Sequence, residues 1–349
     1  MRRSDRKQAG VVTALRQNSR ALFFSSRAKL ISVSRMTDSA LTLVPPVQVV
    51  VRPTVWVESP RLSERLGARV SLASETLQYT GSFKFRAAYH VAASVPHLRF
   101  LAASSGNFGQ ALACACRRLG KSCTIVMPDT SAQTKIDAVR AYGGNVQLID
   151  VRAKSRQERV AELAALDPEA YVASPFDDPL VIQGNATLGR ELAAGPQHPF
   201  DFILAPVGGG GLTSGILTGL HEAGCATPLI GVEPLLANDA ARSLRAGQLL
   251  ANSSEPATIA DGARTVSLGQ NNWEILRRGL RQVIEVTEEQ IREAVRLVFT
   301  LANLASEPTG ASSVAALLAC PEQFRGRNVC CVISGGNVDA KIFAEIIGG

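Results

Sequence analysis

From about residue 47 onward the chain alternates short apolar runs with amphipathic stretches, and this alternation restricts the fold more than any other feature of the sequence. Residues 99–103 read as a strand, 107–119 as an Ala-rich helix closed by Gly120, and 123–127 as a strand stopped at Pro128-Asp129. A helix over 133–142 ends at Gly143-Gly144, a strand over 146–149 follows, and a helix over 156–166 ends at Asp167-Pro168. The same grammar resumes with strands at 202–207, 228–232 and 329–333 and helices at 212–221 and 288–304, while 47–51 reads as strand-like. Repeated strand-helix units predict parallel strands joined by crossover helices, which cover a sheet on both faces. Two blocks of this alternation, 98–177 and 178–349, predict two sheets with a cleft between them.

At 349 residues and 46% hydrophobic content the chain can bury a large core split over two or three lobes. Its seven cysteines lie in apolar segments and form no CxxC pair, which predicts reduced, buried thiols with neither zinc nor a disulfide framework. The four histidines are scattered and give no metal-ligand spacing and no triad signal. The formal charge of +7 misleads, because residues 1–35 hold nine basic residues against one aspartate and the rest of the chain sums to about −1. Nucleic-acid binding is therefore not expected, since the body carries no basic stripe. The Arg- and Ser-rich leader has the composition of an organellar transit peptide, yet Met36 opens a more ordinary stretch and an extended translation start accounts for it as well. Either way residues 1–44 are expected to lie outside the fold, with a cytoplasmic protein as the default. No apolar run approaches the ~20 residues that span a bilayer.

Two segments stand out against this background. Gly208 to Gly211, four consecutive glycines, sit between a strand pattern and a helix pattern, where backbone N–H groups converge on an anion with a helix dipole behind them. A tight strand-to-helix turn is the plain alternative. No Lys or Arg occurs between Pro206 and Leu220, no G-x-G-x-x-G threads through the loop and no Walker lysine follows it, which disfavours dinucleotide and nucleotide triphosphate sites. Far upstream, Lys84 follows Thr80-Gly81-Ser82, which reads as a helix N-terminus, and lies between Phe83 and Phe85. Desolvation and a helix dipole both lower a lysine pKa and favour the nucleophilic neutral amine. An amine and a phosphate cradle without basic side chains together suit pyridoxal 5'-phosphate (PLP), which forms an imine with lysine and brings its own dianion. Ser104-Ser105-Gly106-Asn107 ends a strand and caps the next helix, an anion site suited to a substrate carboxylate, and Ser334-Gly335-Gly336-Asn337 repeats the device near the C-terminus.

The ordered set Ser82-Phe83-Lys84, Ser104 to Asn107, Pro175-Phe176-Asp177-Asp178, Gly208 to Gly211, Glu307-Pro308-Thr309-Gly310-Ala311 and Ser334 to Asn337 spans about residues 45–345. It resembles the fold-type II (tryptophan synthase β-like) PLP enzymes, within them the serine/threonine dehydratase and serine racemase family. The resemblance implies an α/β fold of two open parallel-type sheets flanked by helices with the cofactor in the cleft. It further implies a large cofactor domain made of 45–97 and 178–349, a small mobile domain over 98–177, and a homodimer.

Residue by residue, it implies that Lys84 holds the cofactor and then acts as base at Cα, that Phe83 packs on the ring, and that Asn107 bonds the ring hydroxyl. Ser104, Ser105 and Gly106, with Asn107, would surround the substrate carboxylate, and Ser334 would face the pyridine nitrogen. A hydroxyl there does not hold a proton on the ring nitrogen, so the sink is weaker and loss of a β-leaving group is favoured over transamination. The implied reaction is dehydration and deamination of L-threonine and/or L-serine to a 2-oxoacid and ammonia. Ser105 pulls toward racemases, where a serine is the second acid/base. Glu233, Ala237 and Asp239 resemble the family's divalent-cation site, with hard oxygen ligands suited to Mg²⁺ or Ca²⁺, although a loop and helix cap account for them too. Phe108, Ala87 and Asn185-Ala186 depart from the common pattern and open the way to another hydroxyamino acid such as 3-hydroxyaspartate. A PLP-binding protein with little turnover is the reading from a different class.

Overall fold

The computed structural model describes residues 44–104 and 106–349. Among the described residues ten strands, β1 (Val55–Glu58), β2 (Arg69–Ser74), β3 (Arg99–Ala103), β4 (Ser122–Pro128), β5 (Asn145–Ile149), β6 (Tyr171–Val172), β7 (Phe202–Pro206), β8 (Leu229–Pro234), β9 (Gln282–Val286) and β10 (Asn328–Ile333), form two sheets. The larger has the order β1-β2-β10-β7-β8-β9 and the smaller β5-β4-β3-β6. Every pairing is parallel except the edge pair β1 and β2. The strands predicted between 98 and 177 fall in the smaller sheet, and those at 202–207, 228–232 and 329–333, with β1, β2 and β9, in the larger.

A parallel sheet flanked by helices buries both faces, so its strands read as continuous apolar runs whose alternate residues serve different cores. In β10, Cys330 and Val332 join Leu188, Leu212 and Ile216 under helices Pro179–Ala193 and Gly211–Glu222. Val329, Cys331 and Ile333 face the other way, into Val295, Val298 and Val314 of helices Glu288–Ala302 and Pro308–Ala319. The smaller sheet repeats the division: Phe100 and Ala102 pack with Ala111 and Leu112 of helix Asn107–Arg118, and Leu101 with Val160 of helix Arg156–Leu166.

The strand expected at 47–51 is instead a helical turn, Val47–Val50. A strand would place 47, 49 and 51 on one face, but Val49 is 71% exposed while Val47 and Val51 are buried with the Lys84 helix. One turn brings residues four apart to the same side. The cysteines among the described residues are free thiols; five are buried as expected, whereas Cys225 and Cys320 are only half-buried. Among those residues no helix is long and apolar enough to cross a membrane. The leader, where a transit peptide or extended start was considered, lies outside the described residues.

Candidate active site

Lys84 itself opens its helix, Lys84–Ser94, rather than following a helix start at Thr80. Tyr79–Gly81 form a short turn with Thr80 in the left-handed region, and Ser82 is extended. The helix is fixed by Arg86, whose guanidinium is fully buried and donates from Nε to Glu75 (2.7 Å), from Nη1 to Glu191 (2.7 Å) and from Nη2 to Thr54 (3.0 Å). A buried guanidinium with its donors satisfied on both neighbouring carboxylates is a rigid anchor two residues from the amine. Lys84 Nζ donates to the Pro175 carbonyl (2.7 Å) and lies 5.1 Å from the Phe83 ring and 5.8 Å from the Phe108 ring. Burial pulls its pKa down to about 8, against an upward pull from the nearby Glu307 carboxylate. An amine of that pKa is substantially neutral under mildly alkaline conditions.

The glycine loop lies between β7 and helix Gly211–Glu222. Gly210 has φ +92°, which a side chain resists, and a Cβ on Gly209 would enter the Phe176 ring. The loop is held from behind: Asn272 Nδ2 donates to the carbonyls of Gly209 (2.8 Å) and Phe176 (3.0 Å), and the Gly269 N–H donates to Gly209 O (3.0 Å). Asp177 accepts from the N–H groups of Gln270 (3.0 Å) and Asn271 (2.9 Å), tying the segment after β6 to helix Gln270–Gly279. No N–H of Gly208, Gly209 or Gly210 finds an acceptor among the described residues. The cradle therefore offers free donors at a helix N-terminus with no cation in the loop, which fits a phosphate dianion.

The remaining motifs are knotted together. Asn107 Nδ2 donates to both Glu307 oxygens (2.9 and 3.0 Å), Asn337 Nδ2 donates to Asn107 Oδ1 (2.9 Å), and Asn337 Nδ2 also reaches the Thr80 carbonyl (2.7 Å). The Phe83 N–H donates to Ser334 O (3.0 Å), and the Ser334 hydroxyl, buried, has no partner among the described residues. Ser104 Oγ accepts from the Gly109 N–H (3.0 Å), so its hydroxyl caps helix Asn107–Arg118, while Gly106 precedes that helix. Ser105 lies outside the described residues. Burial pushes the Glu307 carboxyl up to about 8, with Asp261 adding to the rise and Asn107, Lys135 and Lys84 opposing it.

Phe83, Lys84, Ser104, Gly106, Asn107, the four glycines and Ser334 all line one cavity of about 1310 Å³, together with Glu307 and Thr309. A family model described as pyridoxal-phosphate dependent enzyme matches residues 47–335. The chain belongs to this family. It is 35% identical over 295 residues to L-threo-3-hydroxyaspartate ammonia-lyase of Pseudomonas sp, covering 83% of this chain and 92% of that one. It is also 35% identical over 299 residues to serine racemase of Homo sapiens, covering 82% and 86% respectively. The solved structure of a T.th. threonine deaminase superposes with a TM-score of 0.80 at 40% identity, covering 84% of this chain and 96% of that one. The expected fold-type II architecture is thus present in this PLP enzyme.

The residues fit the cofactor: a desolvated amine, a cation-free donor cradle and an unpartnered buried hydroxyl line the same cavity. In the sequence Glu307, Phe176 and Asn337 stand within recognisable motifs with no role attached to them. Asn272 carries no signal at all, since no spacing rule links it to the glycine loop. Glu233 and Asp239 lie elsewhere, at the end of β8 and the start of helix Asp239–Ala246, with Ala237 in the turn between. Glu233 accepts from the N–H groups of Ala241 (2.6 Å) and Ala240 (3.2 Å), and Asp239 from Leu268 N (2.9 Å) and Asn252 Nδ2 (3.0 Å). The helix-cap reading thus describes these contacts. Among the described residues no group of three or more His, Cys, Asp or Glu is placed to hold a metal.

Proposed function

We propose that this PLP enzyme is an ammonia-lyase that removes water from a β-hydroxy-α-amino acid, with 3-hydroxyaspartate as the preferred substrate. The observation that carries the reaction is Lys84, a dry amine near pKa 8, on the wall of the cavity that also holds the glycine cradle. When bound, the cofactor supplies the electron sink for a negative charge at Cα. Lys84 is the amine that holds its aldehyde and the base that takes the Cα proton. Gly208, Gly209, Gly210 and Gly211 bind the phosphate, Phe83 packs on the ring, Asn107 meets the ring hydroxyl and Ser334 the ring nitrogen. The N-terminus of helix Asn107–Arg118, with Ser104, Ser105 and Gly106, receives the substrate carboxylate. Loss of the β-hydroxyl and hydrolysis of the enamine then give a 2-oxoacid and ammonia.

The acidic substrate is supported by Arg264. Its side chain lines the cavity, its Nε is held by the Thr258 carbonyl (2.7 Å), and no carboxylate pairs with it among the described residues. Lys135 and Arg156 line the same wall, paired with Asp261 and with Glu255 (3.2 Å). A guanidinium at the wall suits a second carboxylate by bidentate pairing. The relative named for L-threo-3-hydroxyaspartate points the same way. The second reading, L-threonine and/or L-serine, is favoured by the 40% identity to a threonine deaminase. Serine racemization, with Ser105 as second acid/base, is the third, and a PLP-binding protein with little turnover the least supported.

Three companion proposals complete the picture. Residues 98–177 move as a small domain against 45–97 and 178–349, with the Lys135–Asp261 and Arg156–Glu255 pairs bridging them. Mg²⁺ or Ca²⁺ binds at Glu233, Ala237 and Asp239, where burial holds the Glu233 carboxyl well above its usual range and lifts Asp239 to about 6. The protein is a homodimer in the cytoplasm. Assay of 2-oxoacid, ammonia and D-isomer from L-threo-3-hydroxyaspartate, L-threonine, L-serine and their mixtures tests the reading. Greatest kcat/KM for the dicarboxylic substrate supports it; preference for threonine installs the second reading, and D-isomer as main product the third.

A further inference from the structure

Glu307 is a fully enclosed carboxyl on the cavity wall, and its geometry is committed to a neighbour rather than to solvent. It is 3% exposed at the start of helix Pro308–Ala319. A Cβ added to Gly335 would come within 2.7 Å of Glu307 Oε1, so the carboxyl is wedged against that backbone. Both of its oxygens accept from the single nitrogen Nδ2 of Asn107 (2.9 and 3.0 Å). The opposite end of the same amide, Oδ1, accepts from Asn337 Nδ2 (2.9 Å). A flipped Asn107 would set its oxygen against the carboxyl and its NH₂ against another NH₂. The amide is therefore held one way round, from both ends.

This pair lines the same cavity as the reactive amine, and the ring of Phe108, the residue after Asn107, lies 5.8 Å from Lys84 Nζ. On the cofactor the ring hydroxyl is ortho to the aldehyde that Lys84 holds. An amide on the same cavity wall can therefore reach that hydroxyl. One NH₂ hydrogen shared between the two carboxyl oxygens leaves the second hydrogen for a ligand.

We propose that Glu307 is a positioning residue for the cofactor, orienting the Asn107 amide so that it donates to the ring hydroxyl. The inference rests on the PLP reading of this site. Glu307 touches Asn107 and acts through it. Asp261, Lys84 and Lys135 are the other charges that bear on the carboxyl, whose pKa burial raises to about 8.

The test titrates apo-protein with PLP and with 3-deoxypyridoxal 5'-phosphate, which keeps the aldehyde and phosphate and lacks the ring hydroxyl. Binding is read by cofactor absorbance, with no substrate present. We expect Glu307→Ala and Asn107→Ala each to weaken PLP about 10- to 50-fold, the scale of one lost buried hydrogen bond. Each should leave the deoxy analogue within about twofold, and the double variant should bind PLP no worse than the weaker single one, as residues acting in series do. Glu307→Gln, which still accepts from Asn107, should recover most of the PLP affinity. Equal losses for both ligands, or losses that add in the double variant, would overturn the proposal. If the alanine variant does not fold, Glu307→Asp breaks the contact with less volume lost, and the same two criteria apply. Failure of the unmodified protein to take up either ligand would instead remove the cofactor reading, and this inference with it.

Discussion

Two sets of residues line the cavity, a proposed cofactor end and a proposed substrate end, and they are built by different means. At the cofactor end, Gly208 to Gly211 offer backbone donors, held by Asn272 and crowded by Phe176, and the neighbouring motifs close through the Asn107, Glu307 and Asn337 amides and carboxyl. At the substrate end, Lys135, Arg156 and Arg264 are flexible cations carried on helices and a loop, two of them paired with acids. A wall made of backbone tolerates almost no change, whereas a wall made of long side chains is adjusted one residue at a time. The first end should fix the chemistry and the second the choice of substrate.

The largest effect should come from Lys84→Ala. Loss of the cofactor tether together with the base predicts a fall in turnover of at least ~10³-fold, the upper part of the range for a general base. Steady-state 2-oxoacid release checks it, and a variant with near-normal turnover would break the comparison at its rigid end. Next is Gly209→Ala, whose methyl would enter the Phe176 ring. Overpacking of this kind costs ~1–3 kcal/mol, so cofactor affinity should fall ~10- to 100-fold in an absorbance titration, with little change in substrate preference among the molecules that remain loaded.

The flexible end should behave the other way. Arg264→Gln should lower kcat/KM for 3-hydroxyaspartate by ~10- to 100-fold, the worth of a charge-assisted pair, while threonine and cofactor affinity change less than about threefold. Uniform loss for both substrates would remove Arg264 from substrate selection.

Acid-base behaviour sharpens the contrast further. The Lys84 pKa is depressed to about 8, so the neutral amine grows in as pH rises through that value. Modification of apo-protein Lys84 by cyanate, followed by peptide mass spectrometry, should reach half its maximal rate near pH 8, the value to which burial lowers the amine. The smallest effect concerns the acidic pair Glu233 and Asp239, which does not line the cavity. Asp239 has its pKa raised to about 6, so its protonated form is stabilising below the unfolded value and that contribution fades as pH rises through 6. Mg²⁺ competes with those protons and should therefore raise Tm by ~2–4 °C at about pH 8 and by less at about pH 5. No shift at either pH would leave Glu233 and Asp239 as a helix cap and a loop clamp only.

The same division explains what was legible in the sequence. Strands buried on both faces, such as β7 and β10, announce themselves as apolar runs, and the residues expected at the cofactor end line the cavity because glycine and helix-cap motifs are local. Helix Pro308–Ala319 is not legible as a helix, since Pro308 to Leu317 are all buried, most of them Gly, Ala, Ser or Thr, and no polar counterface sets a period. β2 does not stand out in the sequence because Ser71 and Ser74 interrupt its apolar run, although both are buried between β1 and β10. Lys84 is legible from its setting, but the sequence starts its helix too early, because Ser82 reads as a cap whereas it extends to pair with Gly335. Glu307 binding Asn107 across 200 residues, and Asn337 binding it across 230, are tertiary facts that no local pattern carries.

The most direct measurement loads purified protein with PLP, supplies L-threo-3-hydroxyaspartate, and counts ammonia and oxaloacetate in the same sample with chiral analysis of the remaining amino acid. The account predicts equimolar ammonia and oxaloacetate, at a kcat/KM above those for L-threonine and L-serine. Release of neither product from any of the three hydroxyamino acids, or accumulation of the D-isomer as the main product, would contradict it.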